Sequence, residues 1–353
     1  MKKIILNLFF IILIVNVLLF TTGCTTKEES GDNDSNKKEK VSIIDNMKAE
    51  AKEETENMFD YNSDGWTVDD KINYTQSESQ KLNGVFKHEE NENTYYYYRG
   101  NVKNNYVQFG KNAKGEKIYW RIIRTNEDNT IRLIYAGTDV SVENEDLTIG
   151  KCQYNDGSIS SGIVGYTSGT ADSKIKKYLE DWYQENIENT GYGKYVATEE
   201  FNCDTSLSAT LSKDGEKHYG AEERIRGNIF KINHVNPSLI AKDTEQDYGG
   251  TYKLKVGMIT ADEVAMAGIL KLSGKAYVEE SYLGSVDNGY WTMSPAYESG
   301  RAYTYIYTVE GTQLGIQNPG SNYTSVRPVI SINEEALKNV TGTGTATDPY
   351  IIK

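Results

Sequence analysis

The chain has 353 residues, of which 38% are hydrophobic, with a mean hydropathy of −0.61 and a formal net charge of −13. Beyond its N-terminus that composition reads as soluble and globular, with length for a large core in one or two domains. A surface this acidic repels phosphate backbones and anionic headgroups. It excludes nucleic acid as a partner and leaves charge unable to hold the protein on a membrane.

Lys2 and Lys3 form a short positive region. Ile4 to Phe20 is almost wholly apolar, and Thr21-Thr22-Gly23 supplies small residues before Cys24. That order predicts a secretory signal peptide over residues 1–23. The apolar run is at the low edge of what spans a bilayer as a helix. The stretch resembles a lipobox, with Thr21 where leucine is usual. The resemblance implies cleavage before Cys24 and acylation of its thiol, with two or three chains needed for a stable hold on the membrane. Cleavage removes two lysines and no acid, taking the net charge to −15. The expected location is the outer face of a cell membrane, and the membrane is the expected partner of Cys24.

Residues 24–40, rich in Lys, Glu, Asp and Ser, predict a disordered tether. Residues 41–83 predict a marginal helix and a linker, the helix carried by Val41, Ile44, Met47, Ala51 and Met58. From Gly84 to Lys353 we expect one α+β domain, antiparallel and β-rich, with two short helices. The β-like segments begin at Tyr95–Tyr98 and Asn105–Phe109. Ile118, Trp120 and Ile122 then alternate with Tyr119, Arg121 and Ile123, and Ile131, Leu133 and Tyr135 alternate with Arg132 and Ile134. The polar run Thr125–Asn129 between them predicts a hairpin. The first helix is expected over Asp172–Ile187, with Ile175, Leu179, Trp182 and Ile187 on one face and Gly191 as its stop. The second starts at a capping box, Thr260-Ala261-Asp262-Glu263, and ends near Gly268. Further strands are expected at Tyr290–Pro295, Arg301–Thr308 and Val326–Ile332, with turns at Gly311-Thr312, Asn318-Pro319-Gly320 and Gly342-Thr343-Gly344.

The remaining cysteines, Cys152 and Cys203, are either one disulfide, as an oxidising compartment would favour, or two separate thiols. His88, His218 and His234 do not cluster, and no CxxC occurs, so neither a metal nor a cofactor is expected. No GxSxG elbow, HExxH helix, P-loop or dinucleotide fingerprint is present. A Cys203–His218 dyad is conceivable but far weaker than a structural reading of both residues. The segment Asp287–Tyr323 is rich in tyrosine, a residue that offers broad amphipathic contact at low entropy cost. Trp291, Tyr303, Tyr305 and Tyr307 read as sheet residues, and Arg327 as a paired structural arginine. Tyr297, Arg301, Asn322 and Tyr323, nearer the turns, are the expected ligand-binding residues.

Several segments together carry a family resemblance: Tyr98–Val102, Asn104–Gly110, Trp120–Arg124, Ile131–Tyr135, Gly257–Val264, Tyr290–Pro295 and Val326–Ser331. They resemble a family of uncharacterised surface proteins and lipoproteins of low-GC Gram-positive bacteria, over most of residues 84–353. More loosely, the segment from Tyr290-Trp291 to the Arg327-Pro328-Val329 strand is similar to the end of C-type-lectin-like domains, a fold shared with formylglycine-generating enzymes. No cysteine follows Cys203, so formylglycine chemistry is not implied. Gln317-Asn318-Pro319 differs in order from the calcium-lectin loop, so calcium-dependent sugar binding is not implied either. The expected function is a non-enzymatic, membrane-anchored extracellular module for a protein or glycan ligand. The alternatives are a cell-wall-directed hydrolase using scattered carboxylates and a structural accessory lipoprotein of an envelope complex.

Overall fold

The computed structural model describes residues 39–55, 58–59, 82–155, 167–168, 171–203, 217–226, 236–240, 250–269, 281–299, 303–311 and 313–353. The expected signal peptide, Cys24 and the tether up to residue 38 lie outside the described residues, as does most of the expected linker. Among the described residues no helix is long and apolar enough to cross a membrane.

The first helix, α1 (Ile43–Glu50), opens on Ser42, whose hydroxyl accepts from the Asp45 amide at 3.2 Å. Ile43 and Met47, one turn apart, are both buried and join the main core. A short strand β1 (Lys52–Glu53) follows and pairs in parallel with β2 (Gly84–Glu90). This N-terminal stretch therefore belongs to the same compact unit as everything after it, Glu39 to Lys353.

β2 and β3 (Asn93–Arg99) form a hairpin closed by Asn91 and Glu92, both at positive φ, the backbone that a tight two-residue turn requires. β4 (Tyr106–Lys111), β5 (Lys117–Thr125) and β6 (Ile131–Tyr135) follow. The β5–β6 hairpin is present, and Asp128 shapes its turn by accepting from the Thr130 amide at 3.0 Å. Its alternating pattern does not give one dry and one wet face. Both faces of β5 are buried from Trp120 onward, because Trp182 covers Trp120 on one face and Tyr282 lies over Arg121 on the other. A register shift between Ile122 and Arg124 bends it further.

Two short strands, β7 (Thr167–Ser168) and β8 (Ala171–Asp172), precede α2 (Lys174–Tyr183). Ser173 caps α2, and a single π-turn, Gln184–Glu188, extends it. Ile175, Leu179 and Ile187 are fully buried, while Trp182 lies edge-on against Trp120 and Tyr135. β9 (Glu199–Cys203) pairs with β11 (Gly250–Leu254). Between them in sequence lie β10 (Lys217–His218) and α3 (Gly220–Arg226). α4 (Ala261–Met266) starts with the expected capping box in full. Thr260 Oγ1 accepts from the Glu263 amide at 3.1 Å, and Glu263 Oε2 accepts from the Thr260 amide at 3.0 Å. At its other end the Arg99 guanidinium donates to the carbonyls of Ala265 and Met266.

The second sheet is built from β10, β12 (Tyr290–Ser299), β13 (Tyr303–Glu310) and β14 (Gln313–Gln317), in the order β10-β12-β13-β14. β15 (Val329–Ile332) then returns to pair with β6. After α5 (Glu334–Leu337), β16 (Tyr350–Ile351) pairs in parallel with β4. The larger sheet thus runs β1-β2-β3-β5-β4-β16, with β6 and β15 continuing from β5. Gly257 bridges to Val329, and a Cβ there would stand 2.3 Å from the Phe201 ring, which packs directly over the glycine.

The class is α+β, as expected. The helix content exceeds the two expected helices, since α3 and α5 have too few turns to show a period and are held by packing and caps. α3 lies against β12 and α4, and Asn333 caps α5 by accepting from the Ala336 amide.

Candidate functional site

The four expected ligand residues fall in different places. Arg301 lies outside the described residues. Tyr297 sits near the Ser299–Tyr303 end of the second sheet, in register with His218. Tyr323 is 71% exposed, and Asn322 beside it is also exposed. Their segment is held by Ser325, which bridges to Tyr290 at the opposite end of β12. The paired stretch of β13 between those levels, Thr304 to Val309, is about 16 Å of strand. Tyr297 and the Asn322–Tyr323 pair are therefore anchored at opposite ends of one strand.

At the Tyr297 end a cluster forms that the sequence did not announce. The rings of Tyr297 and Tyr305 stack at 4.8 Å with an interplanar angle of 23°. The His218 imidazole tilts against Tyr297 at 5.8 Å. Both tyrosines are half-buried, so the stack keeps part of its surface in solvent. Below it, Tyr307 and Glu222 are fully buried, the Tyr307 hydroxyl donating to the Glu222 carboxylate. His218 Nδ1 lies 3.6 Å from the other oxygen of Glu222. The reason is local: Tyr305 and Tyr307 alternate onto one face of β13, pairing brings Tyr297 and His218 beside them, and α3 carries Glu222 over that face. Reading Tyr305 and Tyr307 as sheet residues describes Tyr307. Tyr305 is a sheet residue too, but part of its surface stays in solvent. The only signal available in sequence was the four-residue spacing of His218 and Glu222.

The other titratable clusters tie segments together. His88 lies with Nδ1 3.1 Å from Glu54 and Nε2 3.5 Å from Glu90. Burial alone would lower its pKa, but the hydrogen bonds to the two carboxylates outweigh burial and bring it to about 9. Burial would raise Glu90, yet His88, Ser238 and the Leu239 amide bring it down to about 2. Asp262 accepts a two-pronged contact from Arg224, at 2.7 and 2.8 Å. Glu263 accepts from Arg124 Nε at 2.8 Å and faces Arg132 Nε at 2.6 Å. Burial would raise Glu263, but the two arginines hold it below the usual glutamate range.

Among the described residues two carboxyls, Asp128 and Glu199, face each other across one hydroxyl. Asp128 and Glu199 each lie 2.8 Å from the Thr130 hydroxyl, and burial, aided by the Asp128 charge, raises Glu199. The Thr130 side chain stands in the gap that a glycosidic oxygen would need. Among the described residues no group of three His, Cys, Asp or Glu is placed to hold a metal ion. Cys152 Sγ contacts the Gln153 carbonyl at 3.1 Å. The backbone of Cys203 is in β9 opposite Gly250, whereas His218 is in the second sheet, and the Cys203 side chain lies outside the described residues. Arg327 is buried and donates to the carbonyls of Tyr135 and Leu283, the structural role expected of it.

No family model, no curated protein and no solved structure matches the chain.

Proposed function

We propose that this is a lipid-anchored module on the outer face of a membrane that binds a protein or glycan ligand without chemical turnover. The observation that carries the reading is the half-exposed Tyr297–Tyr305 stack above buried His218, Glu222 and Tyr307. The solvent-facing part of the two stacked rings offers apolar ring surface on which a sugar face or an apolar side chain docks. The buried Glu222–Tyr307 contact fixes the sheet beneath and reduces the entropy lost on binding. The Cys24 leader supports the location, since a cluster on the sheet is useful where ligands arrive from outside. A C-type-lectin-like fold is part of this reading. It is supported by a small Tyr-rich antiparallel sheet beside a larger one, and by an N-terminal segment bridged to the C-terminal region at Val41 and Val340.

The test is a glycan and extracellular-protein array probed with the full-length protein in neutral detergent, wild type beside Y297A and Y305A. Binding that falls at least tenfold in either variant supports the platform. Absence of binding together with turnover of any cell-wall substrate overturns the reading.

A further inference from the structure

The interior of this acidic protein carries a local excess of positive charge. Arg99, Arg121, Arg124, Arg132 and Arg327 are all buried. Glu263 answers Arg124 and Arg132, and Arg99 donates to helix carbonyls. Arg121 and Arg327 differ: among the described residues neither touches a carboxylate. Arg121 donates to Asn105 Oδ1 at 2.6 Å and to the Val102 carbonyl at 2.7 Å, with its guanidinium 3.8 Å from the Tyr106 ring and 5.5 Å from the Tyr282 ring. Arg327 spends its bonds on the Tyr135 and Leu283 carbonyls and lies 4.8 Å from the Tyr290 ring. The two cations repel each other. Carbonyls and ring faces lower the cost of a buried charge but do not neutralise it.

A second observation points the same way. Tyr282 and Tyr290, the rings beside these arginines, are 4% and 0% exposed, and among the described residues neither hydroxyl has an acceptor for its proton. Tyr290 Oη lies beside Arg327, but a guanidinium only donates, so the phenol proton still lacks an acceptor. Burial raises the pKa of both phenols, so both keep their protons and both are donors. The Glu263 charge is felt at Tyr282 but accepts from neither phenol, so among the described residues two cations and two O–H groups share one deficiency, a negatively charged acceptor. Water supplies an acceptor and no charge.

We infer that the protein holds one small monovalent anion, of chloride size, among Arg121, Arg327 and the hydroxyls of Tyr282 and Tyr290. The inference is independent of the aromatic platform. It is tested on the full-length protein in neutral detergent by thermal unfolding in sodium chloride, bromide and gluconate at equal ionic strength. The expected result is a saturable rise in Tm with chloride and bromide and none with gluconate, which is too large for a buried site. Y282F keeps the ring and removes one donor. It should raise the half-saturating bromide concentration several-fold, whereas removing an idle buried hydroxyl would leave it unchanged. Crystals grown in bromide should show an anomalous peak beside the Arg327 guanidinium. Equal melting in bromide and gluconate, an unchanged half-saturation in Y282F, or no bromide peak at that place would each overturn it.

Discussion

Glu263→Gln keeps the shape of the side chain and removes its charge. In the folded protein Glu263 is 2% exposed, and one of its oxygens serves both Arg124 Nε at 2.8 Å and Arg132 Nε at 2.6 Å. The other oxygen closes the capping box of α4 at the Thr260 amide. A glutamine has one accepting oxygen, so it can serve the arginines or the cap, but not both. Removing one partner of a buried charge group costs about 3–5 kcal/mol, because two guanidiniums are left uncompensated. A lost cap alone costs about 1 kcal/mol, which Thr260→Ala measures separately. The two losses share one side chain and are not to be summed. Urea denaturation at pH 7 should therefore show E263Q destabilised by about 4 kcal/mol, roughly a thousandfold in the folding equilibrium, with the denaturant slope unchanged. A depressed carboxylate stabilises above its unfolded pKa and loses that contribution as pH falls through the folded one. Wild type should accordingly lose stability below about pH 4.5, and E263Q should lose less of it. A loss under about 1 kcal/mol in E263Q would refute the claim that this carboxylate holds the arginine pair in the core.

Other expectations follow from the same physics. The His88 pKa is raised to about 9, so its contribution is complete below the unfolded value of 6.5 and disappears as pH rises through 9. Urea midpoints at pH 6 and pH 9.5 should differ in wild type, and His88→Gln should abolish most of that difference; an unchanged slope would show that the Glu54–His88–Glu90 cluster is not its source. Gly257→Ala forces a Cβ to within 2.3 Å of Phe201, and overpacking of this kind should cost about 1–3 kcal/mol by chemical denaturation. Alanine tolerated without loss would mean that the Phe201 ring moves aside easily. Cys24→Ser should leave an uncleaved precursor or a released protein. Membrane fractionation that finds the variant processed and still anchored removes the lipid-anchor reading.

Some features of the fold were legible because their causes are local. The Thr260–Glu263 capping box needs four consecutive residues and forms as written. The hairpin around Asn126–Thr130 needs two β-patterned runs and a polar turn, and Asp128 completes it within two residues. The face of α2 follows from the spacing of Ile175 and Leu179, although the helix loosens into a π-turn before Ile187. The candidate site was legible only in part. Tyr297, expected beyond the strand, lies inside β12, and its partners are His218, far back in the sequence, and Tyr305, across a strand pair. No pattern within one segment brings those three rings to one face.

What the amino-acid order determined by itself was the set of short-range elements, their caps and their turns, because those forces act over about one helical turn or one hairpin loop. The tertiary structure alone decided which strands pair, and with that which charges lose water. Arg121 and Arg132 read as the polar half of an alternating strand, yet Tyr282 packs over the first and Phe201 and Glu263 over the second, and both are buried. Burial is a property of what packs on a strand's faces, and contacts between residues as distant as Arg132 and Glu263 leave no trace in the local alternation of either.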